Sequence, residues 1–386
     1  MSAVTFDAVT ADELNGVLGK KWTTFPGKIG AFIAEMDFQT APVVQDALRK
    51  AVDAGFFGYV PFGMFAELSE ATANWYREEI GWDIPVERIH ALPEVLAGLE
   101  LTLQHFSRAG SKIIIPTPAY MPFLSIPAHY GREVIQVPMI VRDGRWEYDY
   151  DAIDAAFADG GGVLIFCNPF NPIGRVMTRE EMVTISEIVD RHHGRVFSDE
   201  IHSGIVFEGH QHIPYASISD VTAGHTITAV AATKAWNIAG LKCAQIVITN
   251  DADEEIWQQI APGVPGPSTL GVVGSIVAYN EGRPWLKDVV SYLDGNRKAL
   301  AAAISEHLPG AKFILPEGTY LGWIDFTQTG LDGDLAEFFR DRADVAITDG
   351  SACGKIGERS VRFNFATPRP LMEQAIAQMG EAIASI

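Results

Sequence analysis

Apolar positions along this chain change their spacing several times, and each change marks an element. Val43, Val44, Ala47, Leu48, Ala51 and Val52 recur at helical spacing and stop at Gly55, predicting a helix closed by a glycine. Residues 112–115 ahead of Pro116, 134–137 ahead of Pro138, 162–167, 195–198 and 226–230 are short, mainly apolar runs that read as strands. Between the third and fourth, Thr178 and Glu181 form a capping box, and Met182, Val183, Ile185, Ile188 and Val189 give the following helix one apolar face. Strands apolar on both faces that alternate with helices predict an α/β fold with a mostly parallel sheet covered on both sides. Such sheets bind ligands at the carboxyl ends of their strands.

Beyond about residue 268 the pattern shifts. A long helical stretch runs from Gly271 to about Ser305, with Pro284 marking an interruption or kink. Residues 319–326 and 361–365 then alternate as half-exposed strands would. The shift predicts a large domain over 43–284 and a smaller α+β domain over 285–386, completed by 1–42.

Composition narrows the function classes. The 386 residues are 47% hydrophobic and 20% charged, as in a soluble protein with a large core. Residues 1–14 are mixed and acidic, with no basic segment leading an apolar one, and no apolar run approaches the ~18 residues of a membrane span. Cys167, Cys243 and Cys353 match neither a disulfide framework nor a zinc motif, so a cytoplasmic setting is expected. A net charge of −20 argues against nucleic acid or anionic membrane as partner. Any anionic ligand must be held by local cations and helix N-termini. His192-His193 and His210 with His212 lack a partner set for a metal, and none is expected.

Three strand ends carry the chemistry. Residues 162–167 run into Asn168-Pro169-Phe170-Asn171-Pro172-Ile173-Gly174, 195–198 into Asp199-Glu200-Ile201-His202, and 226–230 toward Lys234. An amide, a carboxylate and a lysine among small residues would meet where ligands bind. Desolvation disfavours the ammonium and makes such a lysine a nucleophile for carbonyls.

In this order and spacing, followed by Asn237-Ile238-Ala239-Gly240-Leu241, the motifs resemble fold-type I pyridoxal-phosphate enzymes, the aspartate aminotransferase superfamily. Further matches are residues 34–38 (Ala-Glu-Met-Asp-Phe), 57–59 (Phe-Gly-Tyr), 118–123 (Pro-Ala-Tyr-Met-Pro-Phe), 317–321 (Glu-Gly-Thr-Tyr-Leu) and 362–369 (Arg-Phe-Asn-Phe-Ala-Thr-Pro-Arg). With Gly174-Arg175-Val176 they resemble the MalY/PatB-type cystathionine β-lyases (C–S lyases), from about residue 5 to the C-terminus.

The resemblance implies roles. Lys234 would hold pyridoxal phosphate as a Schiff base, beside Thr233, and later move the Cα proton. Asp199 would pair with the pyridine nitrogen, and Asn171 would donate to O3′. His202, where many relatives carry tyrosine, would lie near the same oxygen or pack against backbone. Tyr120, between two prolines, would stack on the ring from a fixed extended segment. The N–H groups of Val95 and Leu96 at a helix N-terminus would take the phosphate, helped by Lys242 and by Tyr59 from a second subunit. Arg362 would grip the substrate carboxylate, while Arg369 would be structural. Two departures stand out. Glu94 replaces the usual glycine, so it must point away from the phosphate or reshape the cup. Ala231 lacks a hydroxyl that many relatives use. Trp236, in place of a common phenylalanine, reads as core.

The resemblance implies a homodimer with shared active sites, cleaving L-cystathionine or related cysteine S-conjugates. A class I/II aminotransferase would use the same residues. Some relatives also bind a transcription factor through their surface, though nothing in this sequence marks such a patch.

Overall fold

The computed structural model describes residues 6–386; residues 1–5, which open the segment assigned to the smaller domain, lie outside the described residues. Seven strands make the central sheet: β1 (Ile89–Leu92), β2 (Lys112–Thr117), β3 (Val134–Pro138), β4 (Gly161–Cys167), β5 (Arg195–Asp199), β6 (Thr226–Val230) and β7 (Ala244–Ile248). Their spatial order is β1-β7-β6-β5-β4-β2-β3. From β6 through β3 every pair is parallel, whereas β7 runs antiparallel to both β6 and β1. The α/β expectation holds, and the sheet is mostly parallel. β1 and β7 were not anticipated. β1 is short and carries His90, and β7 carries Gln245, which is buried and receives a hydrogen bond from the Tyr279 hydroxyl. Both polar residues blur the apolar pattern that marks a buried strand.

Local signals were otherwise followed closely. The helix expected ahead of Gly55 spans Pro42–Asp53, and Gly55 adopts φ +69° behind it. The capping box at Thr178 and Glu181 opens helix Arg179–Arg191. Pro116 lies inside β2 rather than ending it. The β2–β4 pairing stops at Ile114, so the missing amide of Pro116 breaks no bond on that side.

The stretch around Pro284 is two helices, Thr269–Glu281 and Arg283–His307, so the interruption is real and the kink is not, and the break falls at Gly282. Gly282 joins them, its carbonyl accepting from the Trp236 indole at 2.9 Å. Pro284 sits in the first turn of the second helix, where a missing N–H costs little.

A second sheet contains β8 (Lys312–Phe313), β9 (Leu321–Asp325), β10 (Thr348–Asp349) and β11 (Ser360–Asn364), antiparallel in the order β8-β9-β11-β10. β9 and β11 are buried almost throughout, not half-exposed as their alternation suggested. The alternation separates two buried surfaces. Leu321, Val361 and Phe363 join a core with Leu300, Met372 and Ile376 of the helices Arg283–His307 and Arg369–Ala384. Trp323 and its cross-strand partner Arg362 point elsewhere, Trp323 into the core beneath Phe170 and Cys353, and Arg362 into the cavity described below. The N-terminal segment is tied to this side. Ile29–Gly30 pairs in parallel with Val345–Ala346, and the Asn364 amide donates to the carbonyls of Ile33 and Glu35 at 2.6 and 2.7 Å.

All three cysteines are buried and unpaired. Among the described residues no helix is long and apolar enough to cross a membrane.

Candidate active site

Neighbouring strands β4, β5 and β6 run parallel and end together, as the motif order implied. Beyond their carboxyl ends lies a cavity of about 870 Å³. Asn171, Asp199, His202 and Lys234 line it from the central sheet, Tyr120 from the end of β2, and Arg362 from β11. Val95, Leu96, Thr233 and Lys242 close another side. Tyr59 alone among the expected site residues is absent from the lining; its side chain is fully exposed.

Lys234 donates to the Ala34 carbonyl at 2.6 Å. Burial, reinforced by the charge of Arg362, pulls its ammonium down to about pKa 8. Asp199 shows the opposite shift from the same cause. Burial lifts its carboxyl to about 7, against the pull of the Ile201 N–H and of Lys234. A buried carboxyl poised this way gains most by facing a cation. His202 is buried with both ring nitrogens unpartnered, so it is not the backbone-bonded histidine that the alternative reading required. Burial, with Lys234 and Arg362 nearby, presses its pKa to about 3 and keeps the imidazole neutral. It lies in a tight turn after β5, where Ile205 N–H bonds back to the His202 carbonyl, and its ring meets Tyr320 edge-on.

Arg362 is fully buried, yet no carboxylate of the described residues lies within ion-pair distance. Its guanidinium donates to the Phe32 carbonyl at 2.7 Å and to Asn171 Oδ1 at 3.3 Å, and its Nε is unpartnered. An unneutralised fork in a cavity wall is suited to a ligand carboxylate. Tyr120 precedes helix Met121–His129, and Pro122 lies in the first turn of that helix. Tyr120 itself keeps the extended backbone expected from its flanking prolines, at φ −60° and ψ 124°, and the helix begins only after it.

The loop bearing Asn171 is clamped from outside. Phe170 N–H bonds the Arg175 carbonyl and Gly174 N–H the Phe170 carbonyl, both at 2.7 Å, closing a tight turn around residues 171–173. Buried Arg175 reaches Glu181 with two contacts of 2.6 and 2.8 Å and also pairs with Glu317. Glu181 thus caps its helix and anchors the loop. The Gly174 carbonyl accepts from the N–H groups of Glu317 and Gly318. Gly174 has φ +71°, and a Cβ there would overlap Pro316. Gly174→Ala is expected to cost about 1–3 kcal/mol, read as a lowered Tm, with a loosened Asn171. An unchanged Tm would show that the loop tolerates the strain.

Residues 34–38, noted in the sequence only as a matching motif, had no role of their own there. Their first residue, Ala34, lines the opposite wall of the cavity together with Phe32 and Ile33. The Ala34 carbonyl accepts from both Lys234 and the Tyr320 hydroxyl, and Asn237 brackets the chain through Met36 N–H and the carbonyls of Met36 and Phe38. Asn237, three residues past Lys234, holds φ +54°, a left-handed conformation that Asn tolerates better than most residues. Trp236 packs between Trp75 and Tyr279, as core. The histidines read against a metal have other partners. His212 meets the buried Glu200 at 3.0 Å, and His192 meets Asp154 at 2.9 Å.

Residues 30–379 match the model of the class I and II aminotransferases, and the chain belongs to that family. It is 37% identical to the cystathionine β-lyase of Corynebacterium glutamicum across 96% of this chain and 98% of that protein. It is 30% identical to the cystathionine β-lyase PatB of Bacillus subtilis across 91% and 92%. A Corynebacterium diphtheriae structure, provisionally described as a PLP-dependent β-cystathionase, superposes with a TM-score of 0.92 at 39% identity, covering 97% and 98%. Within the family, the chain falls in the MalY/PatB-type cystathionine β-lyase branch.

Proposed function

We propose that this protein is a pyridoxal-phosphate-dependent C–S β-lyase that cleaves L-cystathionine or related cysteine S-conjugates to a thiol, pyruvate and ammonia. One observation carries the reading: a desolvated lysine, a buried carboxyl, an amide and an unneutralised arginine face a single cavity. The choice of lyase over aminotransferase rests on the relatives. The cavity suits the cofactor, because orphaned buried nitrogens on His202 and Arg362 await partners and a helix N-terminus faces one end.

Lys234, Asp199, Asn171, Tyr120, His202, Thr233, Lys242 and the N–H groups of Val95 and Leu96 would hold the cofactor. When bound, pyridoxal phosphate supplies an electron sink that stabilises negative charge at the substrate Cα. Asp199 would keep a proton on the ring nitrogen, which restores its own ionised form. Asn171, its Oδ1 turned to Arg362, has its amide N–H₂ free to donate toward the cavity. Arg362 would fix the substrate carboxylate and so place the Cα proton against Lys234, which removes it. Loss of that proton lets the Cβ–S pair depart as thiolate, and water then converts the remaining three-carbon unit to pyruvate and ammonia. Phe57, Tyr59 and Phe62 form an exposed apolar group near the chain's surface, which the proposed second copy of a homodimer would cover.

Purified protein with added cofactor should release pyruvate from L-cystathionine in proportion to free thiol. Amino transfer that requires an added keto acid, with no pyruvate released, would replace the lyase reading with the aminotransferase one.

A further inference from the structure

The end of the cavity facing helix Val95–His105 contains a charge pair that the roles above leave unexplained. β1 and β7 are antiparallel neighbours, with Leu92 opposite Ala244. Glu94 lies two residues beyond Leu92 and Lys242 two before Ala244, so the ladder that ends between them brings the two side chains together. Their contact is 2.5 Å. Both line the cavity beside Val95 and Leu96. Glu94 occupies the N-cap of the helix with extended backbone, but its side chain makes no capping bond. The carboxylate therefore uses its position on Lys242 instead of on the helix amides. Each side chain is about half exposed, 47% for Glu94 and 56% for Lys242, so neither is locked by packing.

We propose that Glu94 is a resident competitor for the anion this end of the cavity receives. This rests on the reading that the cofactor is pyridoxal phosphate and that its phosphate lies at the helix N-terminus. In the free protein the Glu94 carboxylate neutralises Lys242, and phosphate binding exchanges that ion pair for another. A carboxylate left beside a phosphate dianion repels it, and Lys242 is shared between two anions. The cup therefore binds phosphate less tightly than its lysine and helix N-terminus alone would allow. Cofactor affinity is limited by Glu94 through Lys242, with no effect on the ring end of the cavity.

The test is Glu94→Gln in the full-length protein freed of cofactor. Pyridoxal phosphate, pyridoxal and inorganic phosphate are each titrated, with binding followed by absorbance or by intrinsic fluorescence. Glu94→Gln is expected to tighten pyridoxal phosphate and inorganic phosphate by about two- to fivefold, in line with a solvent-accessible ion pair. Pyridoxal, which has no phosphate, should bind both proteins equally. Unchanged or weaker phosphate binding by the variant would overturn the proposal and make Glu94 a support for Lys242. Equal tightening of pyridoxal would also overturn it, since the effect would then lie outside the phosphate cup. A wild-type protein that captures no pyridoxal phosphate at all would instead remove the cofactor reading. The variant's Tm should match wild type, because the pair is solvent-accessible.

Discussion

Lys234→Ala is expected to abolish covalent capture of pyridoxal phosphate and to lower pyruvate formation by about 10³–10⁴-fold, the upper range for loss of a general acid–base group. The fold should survive. The hydrogen bond of Lys234 goes to the Ala34 carbonyl, which keeps the Tyr320 hydroxyl at 2.9 Å as a second donor. Removing a desolvated cation beside Arg362 also relieves repulsion, so the Tm should hold or rise. Pyruvate release that persists in the variant would assign the proton transfer to another residue.

The wild-type protein offers a companion measurement. The nucleophile is the neutral amine, and burial draws the Lys234 ammonium down to about 8. At pH 7 roughly a tenth of such a lysine is neutral, against fewer than about one in a thousand at the ordinary value near 10.4. Capture of the cofactor should therefore speed up as pH rises and level off above about 8. A rate still climbing through pH 10 would mean that Lys234 behaves as an ordinary solvated lysine.

Much of this site was legible in the sequence because it sits on strand ends. Asn171, Asp199 and Lys234 each follow an apolar run, and parallel neighbours deliver their ends to one place whatever the loops do. Arg362 was visible through its motif. What alternation could not tell was that its strand is buried on both faces, Val361 and Phe363 in a core and Arg362 in the cavity wall. The wall at Ala34 was illegible for a different reason. It acts through backbone carbonyls, which any residue supplies, and its position depends on Asn237, Asn364 and Tyr320 from distant parts of the chain. The Glu94–Lys242 pair depends on the β1–β7 register, and neither strand was read from the sequence. Long-range register is set by tertiary pairing, so a residue known to be unusual could not be matched to its partner.

Arg362→Ala is expected to lower kcat/KM by about 10²–10³-fold, within the 2–5 kcal/mol typical of losing one partner of a buried charge-assisted contact. The guanidinium is a buried cation of the cavity wall with no carboxylate of the described residues in ion-pair distance, in a chain of net charge −20. Arg362→Lys keeps the charge but not the fork, and should recover only part of the loss. The split between KM and kcat reports a second task. Arg362 donates to Asn171 Oδ1, so truncation frees that amide to turn. A rise in KM alone would confine Arg362 to carboxylate binding, whereas a fall in kcat as well would show that it also orients Asn171. Arg362 is, after burial itself, the largest influence lowering the Lys234 pKa. Its removal should move the midpoint of cofactor capture above pH 8 in the same variant, before any substrate is added. An unmoved midpoint, together with an unchanged kcat/KM, would mean that the arginine faces neither the lysine nor the substrate.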